Sequence, residues 1–170
     1  MLKRTIRVVA AAAVTATAVF MGAGSASARD NPTGTVCYQA HLKRVGWQDW
    51  RCDGEWAGST GQAISIDSIR FHIPASTIEF CARAHRSNYG WDAYYSCTSP
   101  SNRTIQVGDV NTDAPIEAVR VYLDHTTGMV DGAAHVSNIG WIDGGYGGGF
   151  GIIELGTTGR GLPMEALWLK

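Results

Sequence analysis

"AHLKRVGW" at residues 40–47 decides the fold, because the same skeleton returns as "AHRSNYGW" at 84–91 and as "AHVSNIGW" at 134–141. A second element follows each copy: "SIDSIRFHI" from Ser65, "PIEAVRVYL" from Pro115 and "PMEALWLK" from Pro163. Self-similarity at this spacing marks a chain assembled from repeated supersecondary units, none of which buries its apolar face alone. Three units, at about residues 36–79, 80–127 and 128–170, fill a single domain spanning 36–170.

Each unit reads as β structure. In the closing element Ile66, Ser68, Arg70 and His72 alternate with Asp67, Ile69, Phe71 and Ile73, the two-residue period of a strand. Pro115 and Pro163 stand where a strand begins, the place at which a missing N–H costs least. Within the repeat, "KRVG", "SNYG" and "SNIG" are tight connections whose glycine tolerates positive φ and so suits a hairpin. Gly58-Ser59-Thr60-Gly61 and Gly156-Thr157-Thr158-Gly159 add a further turn to the first and third units. No window beyond the first residues has the periodicity of an amphipathic helix.

A hairpin turning at that glycine sets Cys37 against Cys52 and Cys81 against Cys97, two bridges chosen from three possible connectivities. Loops of this size contribute about 3 kcal/mol each where native geometry is unstrained. The third unit has Asp131 at the first of these positions and no cysteine at the second, so its hairpin rests on packing. A zinc site is not expected, because no C-x2-C pair occurs and the start of the chain directs it to an oxidising space. That start has a basic head (Lys3, Arg4, Arg7), an apolar run from Val8 to Phe20 and a small-residue Ala26-Ser27-Ala28. It reads as a signal peptide over residues 1–28. The run is shorter than the ~20 residues that span a bilayer, so the expected product is secreted, extracellular and not inserted in a membrane. Residues 29–35, "RDNPTGT", read as a flexible tail able to order in a partner's groove. The whole chain has 14 Lys and Arg against 15 Asp and Glu, and losing the basic head leaves a mildly acidic surface. Nucleic acid, which calls for a basic stripe, is excluded as a partner.

The pattern Ala-His-x4-Gly-Trp, then a Gly-Thr-x-Gly turn, then a Glu-Ala-Ile-x-Ile strand, resembles the clostridial hydrophobic repeat with its marker tryptophan, the ChW repeat, found in secreted bacterial proteins including those of actinobacteria. Two departures stand out. Ser65, Pro115 and Pro163 occupy a place where the family usually has arginine, and Gly108-Asp109-Val110-Asn111 replaces the turn in the second unit. The resemblance implies an extracellular, non-catalytic β module that binds a cell surface, a carbohydrate or a protein. Three units of short strands suit an all-β, pseudo-symmetric fold, β-prism-like or β-trefoil-like, which leaves few open edges.

The repeated residues read first as structure. Trp47, Trp91 and Trp141 are expected as core wedges rather than sugar platforms. His41, His85 and His135 are expected to tie their hairpins by hydrogen bonds rather than meet around a metal. Asp67, Glu117 and Glu165 recur as a scaffold, since acid–base chemistry needs paired groups in distinct environments. No nucleophile elbow, zinc-protease motif or phosphate loop occurs, so neither an enzyme nor a cofactor is expected. Binding is sought where the units differ: Trp50 and Trp56 in the first, Tyr94 and Tyr95 in the second, Tyr146 and Phe150 in the "GGYGGGFG" of residues 144–151, and Arg29 in the tail. Aromatic anchors on adaptable loops bind without chemistry. The leading expectation is an adaptor that docks onto another secreted protein in an extracellular assembly, a secreted toxin particle being one such setting. The alternatives are a lectin-like module for cell-surface glycans and a protease inhibitor presenting Arg29 or Arg103.

Overall fold

The computed structural model describes residues 32–74, 79–124, 129–148 and 151–170. All regular structure there is β. Unit one supplies β1 (Cys37–Leu42), β2 (Gly46–Trp47), β3 (Arg51–Cys52), β4 (Ala57–Gly58) and β5 (Ile66–His72). Unit two supplies β6 (Glu79–Arg86), β7 (Gly90–Trp91), β8 (Ser96–Cys97), β9 (Thr104–Gly108) and β10 (Ile116–Asp124). Unit three supplies β11 (Met129–Val136), β12 (Gly140–Gly148), β13 (Ile152–Gly156) and β14 (Met164–Leu169).

Three antiparallel sheets result, and none closes into a barrel. Each hairpin pairs with the closing strand of its own unit: β1 with β5, β6 with β10, β11 with β14. The strand beyond comes from another unit. β9 of unit two completes the first sheet, β13 of unit three the second, and β4 of unit one the third. Every unit therefore gives one strand away and receives one, and the cycle closes on itself. The arrangement is compatible with either a prism or a trefoil.

The turn glycine explains how the exchanged strand lies so close. A Cβ placed on Gly58, Gly108 or Gly156 would stand 2.3 Å from the carbonyl oxygen of Glu165, Asp67 or Glu117 respectively. All three glycines have positive φ, and the residue after each donates its N–H to that same carbonyl at 2.8–3.0 Å (Ser59, Asp109, Thr157). Only glycine satisfies both demands.

The closing strands depart from simple alternation. Leu42 pairs with Ile66 and His41 with Ser68, which leaves Asp67 as the extra residue of a bulge. Glu117 and Glu165 occupy the same place. A bulge re-aims one side chain and resets the faces on either side. Ile66 consequently joins Ile69 and Phe71 in the core instead of sharing the outer face with Arg70 and His72. One apolar cluster fills the space between the sheets, with Tyr38, Ile69, Phe71, Phe80, Val119, Val121, Leu155 and Leu167 fully buried.

Both bridges form as the hairpin arithmetic requires, Cys37–Cys52 and Cys81–Cys97. In unit three Asp131 is opposite Tyr146, the register position of the bridge, so Tyr146 stands in place of a cysteine. The glycine run is not an adaptable loop throughout. Residues 144–148 belong to β12, and a Cβ on Gly144 would lie 2.3 Å from Leu155 Cδ2. The expected tail also divides. Pro32 is buried, and Asp53 accepts hydrogen bonds from Thr35 N and Val36 N at 3.0 Å, so residues 32–35 are docked on the domain. The expected signal peptide, Arg29 and Phe150 lie outside the described residues, as does the side chain of Tyr146.

Candidate functional site

The bulge creates the repeated site. In units one and three the residues beside the histidine face the core, Ala40 and Leu42 and likewise Ala134 and Val136 being buried, while the histidine between them faces outward; in unit two Ala84 is buried and Arg86 only partly so. Trp47 pairs directly with His41, Trp91 with His85 and Trp141 with His135, so each tryptophan shares the outer face of its sheet. The rings meet edge to face, with centroids 5.0, 5.2 and 5.5 Å apart. Behind each histidine stands the buried bulge acid. His41 Nδ1 is hydrogen-bonded to Asp67 Oδ1 at 2.6 Å. His85 and His135 have a glutamate oxygen at 3.1 and 3.0 Å, out of line for a hydrogen bond. Of the three histidines only His41 ties hairpin to closing strand by a hydrogen bond, and His85 and His135 stand beside their acids without one. They do not meet one another. Among the described residues the one cluster with metal-ligand spacing is Glu79, Cys81 and Cys97, whose two sulfurs form the second disulfide.

The tryptophans are not core wedges. Trp47 and Trp91 are half-buried and Trp141 is 45% exposed. What covers them differs from face to face. The Arg70 guanidinium lies 3.9 Å from the Trp47 ring centre. Over Trp91 lie Arg120 at 4.2 Å and Arg83 at 5.2 Å. In unit three the positions of Arg83 and Arg120 are held by Ala133 and Trp168, and no cation lies over Trp141 among the described residues. The arginines are themselves steadied by the borrowed strand: Arg70 Nε donates to Gln106 Oε1 at 3.1 Å and Arg120 Nε to Glu154 Oε2 at 2.7 Å. These cross-unit groups were not singled out from the sequence, although aligning the closing strands of the units puts Arg70, Arg120 and Trp168 in one column.

The residues chosen for differing between units are distributed over these faces. Trp50 packs edge-on against His72 at 5.9 Å, and Tyr95 takes the corresponding place against Tyr122 at 5.2 Å. Burial, with Arg103 nearby, lowers the pKa of His72. Tyr94 is 86% exposed and Trp56 49%. Trp56 lines an open groove of about 430 Å³ with Arg51, Glu55, Gln48 and Gly58. The Gln48 amide is committed to structure, bonding both the N–H and the carbonyl of Gly58. Trp50 and Trp56 therefore do not form one platform, and neither joins the Tyr94–Tyr95 pair.

The family described as Clostridial hydrophobic W matches residues 41–74 and 135–170. Those stretches run from the histidine of units one and three to the end of the closing strand, so both units are copies of this repeat. The middle unit repeats the His–acid–Trp geometry without being matched. Neither the curated proteins nor the solved structures yield a match. The family match supports an extracellular or cell-surface binding module. Two disulfides fit that setting, and among the described residues no helix is long and apolar enough to cross a membrane.

Proposed function

We propose that this ChW-repeat protein is a secreted, non-catalytic adaptor that docks onto another extracellular protein through one face, the outer surface of the third sheet around Trp141. The observation that carries the reading is the unequal covering of three equivalent tryptophans. A sugar stacks on an open aromatic face, and guanidinium groups already occupy the faces of Trp47 and Trp91. A trivalent lectin needs three similar open platforms, whereas a protein-docking module needs a single exposed aromatic anchor. Trp141, 45% exposed and with small Ala133 at the place where unit two has Arg83, meets the second requirement.

The test is an affinity capture with the chain from Arg29 onward, made from the producing organism's culture supernatant, with a glycan array probed by the same preparation. A stoichiometric protein partner that is lost with Trp141→Ala supports the adaptor. Glycan binding with no protein captured replaces it with a lectin, for which the groove beside Trp56, with its free carboxylate and guanidinium neighbours, is the place to look.

A further inference from the structure

Among the described residues the second sheet carries a cation without a counter-ion. Across its outer face Glu154, Arg120 and Arg83 stand in one row on β13, β10 and β6. Like charges directly opposite one another on adjacent strands destabilise a sheet, and Arg120 and Arg83 are such a pair. Glu154 is engaged by Arg120 at 2.7 Å. The other arginine nearby is also matched, Arg86 with Asp92 at 3.5 Å. Arg83 has no carboxylate within the described residues, and its Nε is buried without a hydrogen-bond partner. Its guanidinium is instead held between two rings, 5.2 Å from the centre of Trp91 and 4.6 Å from that of Tyr95. The Tyr95 hydroxyl is a second buried polar group without a partner.

An unpaired buried polar group is costly, and stacking on aromatic rings offsets only part of that cost. What the stacking does supply is a fixed plane. Arg83 as a whole is only half-buried, so part of its side chain is open to solvent and is held in place before any ligand arrives. A planar, immobilised guanidinium is matched bidentately by a carboxylate.

We infer that Arg83, clamped between Trp91 and Tyr95, is a recognition site for a carboxylate side chain in an acidic segment of a protein partner. Tyr94, 86% exposed beside the clamp, offers that segment an aromatic contact. The site lies on a different sheet from Trp141, and an adaptor that joins two proteins needs two faces.

The experiment titrates the unmodified chain from Arg29 with a hexaglutamate peptide and with its hexaglutamine counterpart, following tryptophan fluorescence and amide chemical shifts. The expected result is binding of the glutamate peptide alone, weakened by salt, with shifts centred on Arg83, Trp91 and Tyr95. Arg83→Met is expected to weaken it about tenfold, and Arg83→Lys to restore only part, because a bidentate pair is lost. Equal binding of both peptides, or shifts centred elsewhere, overturns the site without needing any variant. So does preference for oligogalacturonate over the peptide, which makes the ligand an acidic glycan. Because the readout is acid specificity at Arg83, it can fail while a partner is still captured through Trp141, and it can succeed when none is.

Discussion

Arg44 has φ 66° in the first hairpin, where the other two units place Asn88 and Asn138 at φ 65° and 62°. Asparagine tolerates this left-handed region better than a long side chain does. Arg44→Asn is expected to stabilise the protein by up to about 1 kcal/mol, raising the melting temperature by about 4 °C; no rise in a calorimetric scan would mean the turn is not under strain. Tyr38 is fully buried, with its hydroxyl donating to the carbonyls of Glu55 and Leu169, and burial pushes its pKa up to about 12. Its folded-state value lies above the unfolded one, so its contribution to stability is complete below the ordinary tyrosine pKa near 10 and is lost as pH rises toward 12. Tyr38→Phe should flatten that alkaline loss while costing about 1–3 kcal/mol at neutral pH, because the Glu55 carbonyl loses its donor while that of Leu169 keeps the Gly54 N–H, both read from denaturant midpoints across pH. His72 has the opposite sign: its lowered pKa means stability falls as pH drops below the ordinary histidine value, because the unfolded chain takes up the proton first. At this scale the pairing of His41 with an acid was legible through triple repetition. The exposure of Trp47 was legible too, but from a neglected signal. Ala40 and Leu42 face inward, so His41 and the residue opposite it must face outward.

The bulge and the exchanged strand decide what each element can tolerate. Gly58→Ala puts a methyl group against the Glu165 carbonyl and should cost about 2–3 kcal/mol. Gly46→Ala, also at positive φ but with nothing within 4 Å, should cost only about 1 kcal/mol. Equal losses in urea titrations would contradict the close approach of β4 to β14. Replacing Cys37 and Cys52 together by alanine should remove about 3 kcal/mol, the value for a loop of this length. The bridges were readable because a hairpin fixes which residues face each other. The bulges were not read: the polar pair Asp67-Ser68 interrupts the alternation of the first closing strand, but only strand register shows that the acid is an inserted residue. Short strands such as β4, two residues long, have no periodicity to read at all, so their exchange between units was invisible.

The ring of exchanged strands makes the three units interdependent. Unit one alone lacks β9, the outer strand of its own sheet, and presents β4 with nothing to pair with. A peptide of residues 36–79 is therefore expected to be unfolded as a monomer, with a flat amide spectrum, whereas independently folding modules would give a dispersed one. Three unequal faces on one scaffold follow from the same design: the His–acid–Trp set belongs to the framework, and the column holding Arg70, Arg120 and Trp168 is free to vary. Repetition exposed the framework in the sequence, while the uncovered face depended on knowing which residues lie over each ring. The most direct measurement is the affinity of the captured partner for three variants, Trp47→Ala, Trp91→Ala and Trp141→Ala, each checked for folding by its amide spectrum. A loss of tenfold or more, about 1.4 kcal/mol, confined to Trp141→Ala is the predicted result; equal effects at all three positions, or an effect only at Trp47, would contradict a single docking face.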